Sequence, residues 1–198
     1  MSGLQEKRRS DLLGMIRSRS VRVVPAGEEF TLSSGDKSRV YCDLKKTALL
    51  HAAGDALGAL IVAKASELGK PAAYAGVALG GCHLASIASA HSGCADAIHV
   101  RKEAKGHGTK NLVEAPDLPL PADVVLVEDV TTTAGSAAKA LVALREAGYN
   151  VIGIVTVVDR RQAWKSTPPD STVEGVPILS IFRIEELVDG DPEHPAQD

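Results

Sequence analysis

Aromatic side chains make up only 3% of this 198-residue chain: one Trp, three Tyr and two Phe. A nucleic-acid platform needs stacking rings along a basic groove, and a net charge of −3 supplies no cationic stripe to go with the missing rings. Nucleic acid is therefore not an expected partner. Cysteine is equally scarce. Cys42, Cys82 and Cys94 are odd in number and show no paired spacing, which argues against a zinc knuckle or a disulfide framework and makes a reducing cytoplasm the expected setting. Long apolar runs are missing too: the longest, Val151 to Val158, is far too short to span a bilayer, and the opening MSGLQEKRRS reaches charges without an apolar leader core. No membrane association is expected. Neither GxxxxGK[ST] nor GxGxxG follows a candidate strand, which removes the usual signatures of a nucleotide kinase.

What is present is a chain 44% hydrophobic, whose core must be built from Ala, Val, Leu and Ile. Its length suits one compact α/β domain with a sheet covered on both faces. Leu12, Leu13 and Ile16 predict an amphipathic N-terminal helix. Phe30–Leu32 and Val40–Leu44 read as two strands joined by the turn-rich SSGDKS. From Thr47, the spacing of Leu49, Leu50, Ala53, Leu57, Leu60 and Ile61 predicts one helix, stopped by Gly69 and Pro71. Ala72–Leu79 reads as a buried strand, Gly80 and Gly81 as a tight turn, and Cys82–Ser92 as a helix closed by Gly93. Ala97–Val100, Val124–Val127 and Val151–Val158 continue the strands, with a helix at Ser136–Ala147 ending at Gly148. Such alternation predicts a mainly parallel central sheet flanked by helices. Ile178–Phe182 is expected as an edge strand, and the Pro-rich acidic tail, about 189–198, as disordered.

The most informative segment is VVLVEDVTTTAGS, Val124 to Ser136. Four apolar residues predict a buried strand with Glu128 and Asp129 at its carboxyl end, where open α/β sheets place their ligands and where two acids can accept hydrogen bonds from vicinal hydroxyls. Val130, Thr131, Thr132, Thr133, Ala134, Gly135 and Ser136 then bring backbone N–H groups, hydroxyls and little bulk to the start of a helix. Unpaired N–H groups and the helix dipole favour an oxyanion there. The order suits a phosphorylated ribose. A tight turn with a Thr cap is the plainer alternative, but a cap requires neither paired acids nor the run of small and hydroxylated residues.

Arg101 to Ala122 shows neither helical nor strand periodicity. Arg101, Lys102, Lys105, His107 and Lys110 crowd its first half, Gly106 and Gly108 supply hinges, and Pro116, Pro119 and Pro121 stiffen the return. The alternatives are a solvated charge run and a cationic lid over an anionic ligand.

VVLVEDVTTTAGS resembles the phosphoribosyl-pyrophosphate (PRPP) motif of the type I phosphoribosyltransferases. Three further segments narrow the resemblance to the orotate phosphoribosyltransferase family. FTLSSG (Phe30–Gly35) resembles that family's N-terminal hood, RKEAKGHG (Arg101–Gly108) its mobile catalytic loop, and VVDRR (Val157–Arg161) its orotate-contacting strand end. The resemblance implies the type I fold, with a helix and hood over about 1–45 and a core over about 46–188. It implies transfer of the 5-phosphoribosyl group from PRPP to orotate in pyrimidine synthesis, with Lys105, Arg101, His107 and Asp129 catalytic. PRPP would be held by Arg101, Lys102, Lys105, His107, Glu128, Asp129 and residues Val130 to Ser136, and orotate by Thr132 and Arg160. Mg²⁺ would ride on PRPP, with a water bridge to Asp129. A homodimer is implied, loop 101–115 being shared across the interface. The competing readings are a salvage transferase for another nucleobase and a PRPP-sensing regulator without catalysis. The chain departs from the pattern at Ala134, where many relatives have Gly, at Gly80 and Ser33, where some have Lys, and at His83, often Pro.

Overall fold

The structure, a computed structural model, describes residues 3–31, 35, 37–103, 111–161 and 171–188. The elements run α1 (Gly3–Arg19), β1 (Val21–Val23), β2 (Phe30–Thr31), β3 (Lys37–Ser38), β4 (Val40–Cys42), α2 (Lys45–Ala48), α3 (His51–Ala65), β5 (Ala73–Val77), α4 (Gly80–Ser92), β6 (Asp96–Val100), β7 (Val113–Glu114), β8 (Asp123–Thr131), α5 (Gly135–Glu146), β9 (Asn150–Asp159), β10 (Thr172–Val173) and β11 (Val176–Arg183), and close on a 3₁₀ turn at Ile184–Leu187.

Seven strands form the central sheet in the order β10-β11-β9-β8-β5-β6-β7. Its inner pairs are parallel, and only the short outer strands β10 and β7 run antiparallel. The expected mainly parallel α/β architecture is what the chain adopts. Alternation along β8 explains the two layers: Val125 and Val127 pack with Leu12, Leu57, Leu84 and Ala88 from α1, α3 and α4, while Val124 and Leu126 pack with Ala137, Leu141 and Leu144 from α5. A strand buried on both faces reads as an unbroken apolar run.

The connection after β5 leads to β6 on one side, and that after β8 leads to β9 on the other, so the winding reverses between β5 and β8. A crevice opens outside the carboxyl ends of strands at such a reversal. Three glycines let the layers close there. A Cβ on Gly76 would lie 2.1 Å from the Gly81 carbonyl oxygen, one on Gly81 2.5 Å from that of Val127, and one on Gly80 1.9 Å from Asp129 Oδ2. No side chain fits at those separations, and α4 starts against β8 because none is there.

Several boundaries differ from expectation. Phe30–Thr31 pairs with Lys37–Ser38, inside the supposed connection, while Val40–Cys42 pairs with Val21–Val23, a strand too short to show alternation. The helix expected from Thr47 is two: Leu50 is extended, at φ −80° and ψ 135°, and Leu49 stays 70% exposed instead of joining the buried face. Gly80 and Gly81 form the first turn of α4, not a turn before it. β8 runs on through Thr131, so both acids sit within the strand. Ile178–Phe182 is not an edge, because β10 pairs outside β11. The stretch after Arg101 contains β7, held by two residues of pairing to β6. Leu32, Ser33, Ser34, Lys105, His107, Lys110 and the tail from 189 lie outside the described residues.

The glycine seam generates a paired test. Gly76→Ala forces a methyl against backbone and is expected to destabilise by about 1–3 kcal/mol or more. Gly54→Ala, in α3 with nothing within 4 Å of the place its Cβ would take, is expected to stabilise by about 1 kcal/mol. Chemical denaturation of both variants checks this, and equal effects of the same sign would contradict the seam.

Candidate active site

At the winding reversal lies a cleft of about 440 Å³ whose walls include Thr31, Tyr41, Cys42, Lys45, Leu79, Gly80, Lys102, Glu128, Asp129, Thr132, Ser136 and Arg160. Adjoining it is a concavity of about 40 Å³ formed by Glu128 and residues Val130 to Ala137. Glu128, Val130, Thr132 and Ser136 line both spaces.

The small concavity is the turn from β8 into α5. Thr131 is buried, its hydroxyl donating to Thr156 Oγ1 at 2.9 Å. That hydroxyl is thus bound within the sheet, leaving Thr132, Thr133 and Ser136 to present theirs. Ala134 carries the chain round at φ 61°, in the left-handed region, and supplies no side-chain cap to α5, though the Gly135 N–H donates to Thr133 Oγ1 at 3.4 Å. The first N–H groups of a helix have no partner in the helix itself, so this end beside hydroxyls is suited to an oxyanion. Where many relatives of the resembled family have Gly, the methyl of Ala134 is accommodated at the usual left-handed cost of about 1–2 kcal/mol.

The two acids differ sharply. Asp129 is half-buried, and its Oδ1 accepts from the Val130 N–H at 2.9 Å while its Oδ2 lies against Gly80. Glu128 is 6% exposed, and its Oε1 has no hydrogen-bond partner among the described residues. Burial first, then the Asp129 charge, push the Glu128 carboxyl up to about 8, against a smaller lowering by Lys102. At neutral pH it is largely the neutral acid. Neither carboxyl forms an ion pair among the described residues. Both retain acceptor capacity toward hydroxyls.

Arg160 follows β9. Its N–H donates to Thr131 O at 2.8 Å, and its Nη2 donates to Ser38 Oγ of the N-terminal hairpin. The neighbouring Arg161 is differently employed, with Nε and Nη2 on the two Asp159 oxygens at 3.1 and 2.9 Å. Of the two arginines, only Arg160 lines the cleft.

Among the expected loop cations, Lys102 lines the cleft, but Arg101 does not. Its guanidinium pairs with Glu114 at 2.9 Å and borders a separate apolar groove with Leu49, Leu79 and His83. Lys105 and His107 lie outside the described residues. His83 has Nε2 buried without a partner among the described residues, and burial lowers its pKa, keeping the ring neutral.

Tyr41, Cys42 and Lys45 were not anticipated. Tyr41, which lines the cleft, stacks obliquely on Phe30, ring centres 5.5 Å apart, so two of the chain's few aromatics meet beside it. That clustering in an aromatic-poor chain was the one usable signal. Burial and then Asp129 push the Cys42 thiol up to about 12, leaving it protonated and a poor nucleophile. Lys45 is held at 2.7 Å by Asp43, the hydrogen bond that most raises its pKa, and stays charged.

Comparison with known proteins identifies the family. A family model described as phosphoribosyl transferase domain matches residues 47–177. The chain is 38% identical to the orotate phosphoribosyltransferase of Thermosynechococcus vestitus over 183 residues, covering 90% of this chain and 92% of that one. It is 35% identical to the same-named protein of Sorangium cellulosum, covering 97% and 99%. The crystal structure of Mycobacterium tuberculosis orotate phosphoribosyltransferase in complex with PRPP superposes with a TM-score of 0.70 at 29% identity, covering 91% of this chain and 98% of that one.

Burial of Glu128 has a consequence for stability. Its carboxyl titrates near 8 when folded against an ordinary 4.5, so between those values the unfolded chain releases a proton that the folded chain keeps. Stability therefore falls as pH rises from about 4.5 to 8, by on the order of a few kcal/mol. Glu128→Gln, which cannot ionise, is expected to match the parent at pH 4.5 and exceed it at pH 8. Parallel melting profiles across that range would refute the assignment.

Proposed function

This chain belongs to the orotate phosphoribosyltransferases, and from that premise we propose how its cleft joins orotate to PRPP. The enzyme transfers the 5-phosphoribosyl group to orotate, giving orotidine 5′-monophosphate and pyrophosphate in pyrimidine biosynthesis. The carrying observation is that one cleft unites, from three distant segments, a helix start surrounded by hydroxyls, a pair of acids outside any described ion pair, and an arginine set against the N-terminal hairpin.

The 5′-phosphate sits in the turn of Thr132, Thr133, Ala134, Gly135 and Ser136, where N–H groups and hydroxyls converge. Glu128 and Asp129 accept from the ribose hydroxyls. Thr132 and Arg160 hold orotate, the guanidinium making a bidentate contact with its carboxylate, under the hood carrying Phe30 and Tyr41. Pyrophosphate departs past Leu79 and Gly80 toward Lys102. As the bond from C1 to pyrophosphate loosens, negative charge grows on the leaving group, and fixed cations there lower the barrier, about 1.4 kcal/mol for each tenfold gain in rate. Lys105 and His107 of the catalytic loop complete that cationic lining.

Mg²⁺ fits this reading. Among the described residues no cluster of three or more ligating side chains exists, but the cleft offers Asp129, and a hard ion that keeps its waters and rides on phosphates needs a carboxylate or two at most. When bound, the ion neutralises pyrophosphate charge. The homodimer belongs to the same reading: Arg101 stands outside its own chain's cleft, beside a groove where Leu49 and Leu79 are 70% and 74% exposed. A loop serving the partner's cleft would account for both. No helix among the described residues is long and apolar enough to cross a membrane, and we place the enzyme in the cytoplasm, in keeping with its free cysteines.

Orotate consumption in the presence of PRPP and Mg²⁺ tests the assignment, and turnover of another nucleobase with none of orotate would remove it. Arg160→Ala is expected to raise the orotate KM about 10- to 100-fold, as for loss of a hydrogen-bonded charge, with the PRPP KM little changed. Lys105→Ala is expected to lower kcat strongly while PRPP affinity is largely kept, because a lid acts on the departing group. Unchanged kcat would detach residues 101–115 from catalysis.

A further inference from the structure

Ser38 stands outside every motif read from the sequence as a binding segment, yet it is 2% exposed and lies at the junction between the hairpin β2–β3 and strand β4. Its hydroxyl accepts from the Val40 N–H at 3.0 Å and from Nη2 of Arg160, and donates to Val40 O at 3.1 Å. Val40 is fully buried and paired with Val23. The hydroxyl is therefore fixed to a rigid point of the hood rather than to its tip.

Arg160 is gripped from behind as well. Its N–H is bonded to Thr131 O at 2.8 Å, and the preceding Asp159, 3% exposed, is anchored by Arg161 and Arg183. The backbone is thus set by the sheet, but an arginine side chain has several free torsions beyond it, and bidentate recognition of a planar carboxylate demands one orientation of the fork. A guanidinium carries its five N–H donors in one plane. A buried hydroxyl that holds one of them sets the plane in which the others lie.

We propose that Ser38 is a positioning residue for base recognition: through Arg160 it orients the guanidinium toward the carboxylate of orotate and so ties substrate choice to the seating of the hood. The proposal rests on the reading of Arg160 given above. Ser38 touches no reacting atom, and its effect is confined to the acid group that distinguishes orotate from uracil.

The experiment is a double-variant cycle with Ser38→Ala, Arg160→Ala and both together, measuring KM for orotate, KM for PRPP, kcat, and inhibition by uracil, which lacks the carboxylate. Ser38→Ala is expected to raise the orotate KM about tenfold, as for one lost hydrogen bond to a charged group. PRPP KM and uracil inhibition should be little changed, and in the Arg160→Ala background the same substitution should add nothing. A general hood defect would weaken orotate and uracil together, and this outcome overturns the proposal. So does a Ser38→Ala effect of the same size with and without Arg160, since the two residues would then act independently. If Arg160→Ala itself leaves the orotate KM unchanged, the assignment of Arg160 fails first and Ser38 with it. An unchanged KM in Ser38→Ala beside a raised one in Arg160→Ala rejects Ser38 alone.

Discussion

The close approach of α4 to strand β8 is the constraint on which the site depends. Gly76, Gly80 and Gly81 are the points where backbone meets backbone, or backbone meets the Asp129 carboxylate, at separations that exclude a Cβ. Because the helix start is pressed there, the turn at Leu79 and Gly80 forms one wall of the cleft and Asp129 the other. A side chain at position 80 would require the Asp129 carboxylate to move, since its Cβ would lie 1.9 Å from the present place of Oδ2. The cations of the cleft are supplied elsewhere, by Lys45, Lys102 and Arg160.

The same packing sets the electrostatics. Covering β8 on both faces removes Glu128 from water, and its carboxyl answers by retaining a proton up to about 8. Two adjacent ionised acids in a desolvated cleft would repel each other and a highly anionic donor. A neutral Glu128 reduces that repulsion while keeping an acceptor oxygen. Lys45 is offset by Asp43 at 2.7 Å, so its charge is partly balanced locally, whereas Lys102 lines the cleft with no ion pair among the described residues. On the proposed reading, attraction for the leaving pyrophosphate rests there, where charge builds as the bond to C1 loosens.

How much of this was legible depends on distance along the chain. The β8–α5 segment was readable because its apolar run, paired acids and small hydroxylated residues are contiguous, and each part has a local reason. Its precise extent was not: Glu128 and Asp129 belong to the strand because Glu128 pairs with Thr156, a partner no local pattern names. The hood was found as a hairpin but with the wrong partners, since strands of two and three residues carry no periodicity. Lys45 and Cys42 were invisible because they reach the cleft from the start of α2 and the end of β4, whose placement beside β8 is a tertiary fact. Gly80 and Gly81 looked like an ordinary βα turn, as spacing cannot show what a missing Cβ would strike. The proton on Glu128 is a property of burial, which the sequence states only on average.

The hood and the phosphate turn meet through shared residues and hydrogen bonds. Thr132 and Ser136 line both the small concavity and the larger cleft, and Glu128 does too, so a phosphate seated in the concavity fixes groups that border the base site. Arg160 is tied by its N–H to Thr131 O, one residue before that turn, and by its guanidinium to Ser38 of the hood. A continuous route therefore runs from the phosphate turn through Thr131 and Arg160 to the hairpin, wholly through hydrogen bonds and adjacent backbone. On the proposed reading, the phosphorylated donor and the carboxylate-bearing base thus share one hydrogen-bonded wall.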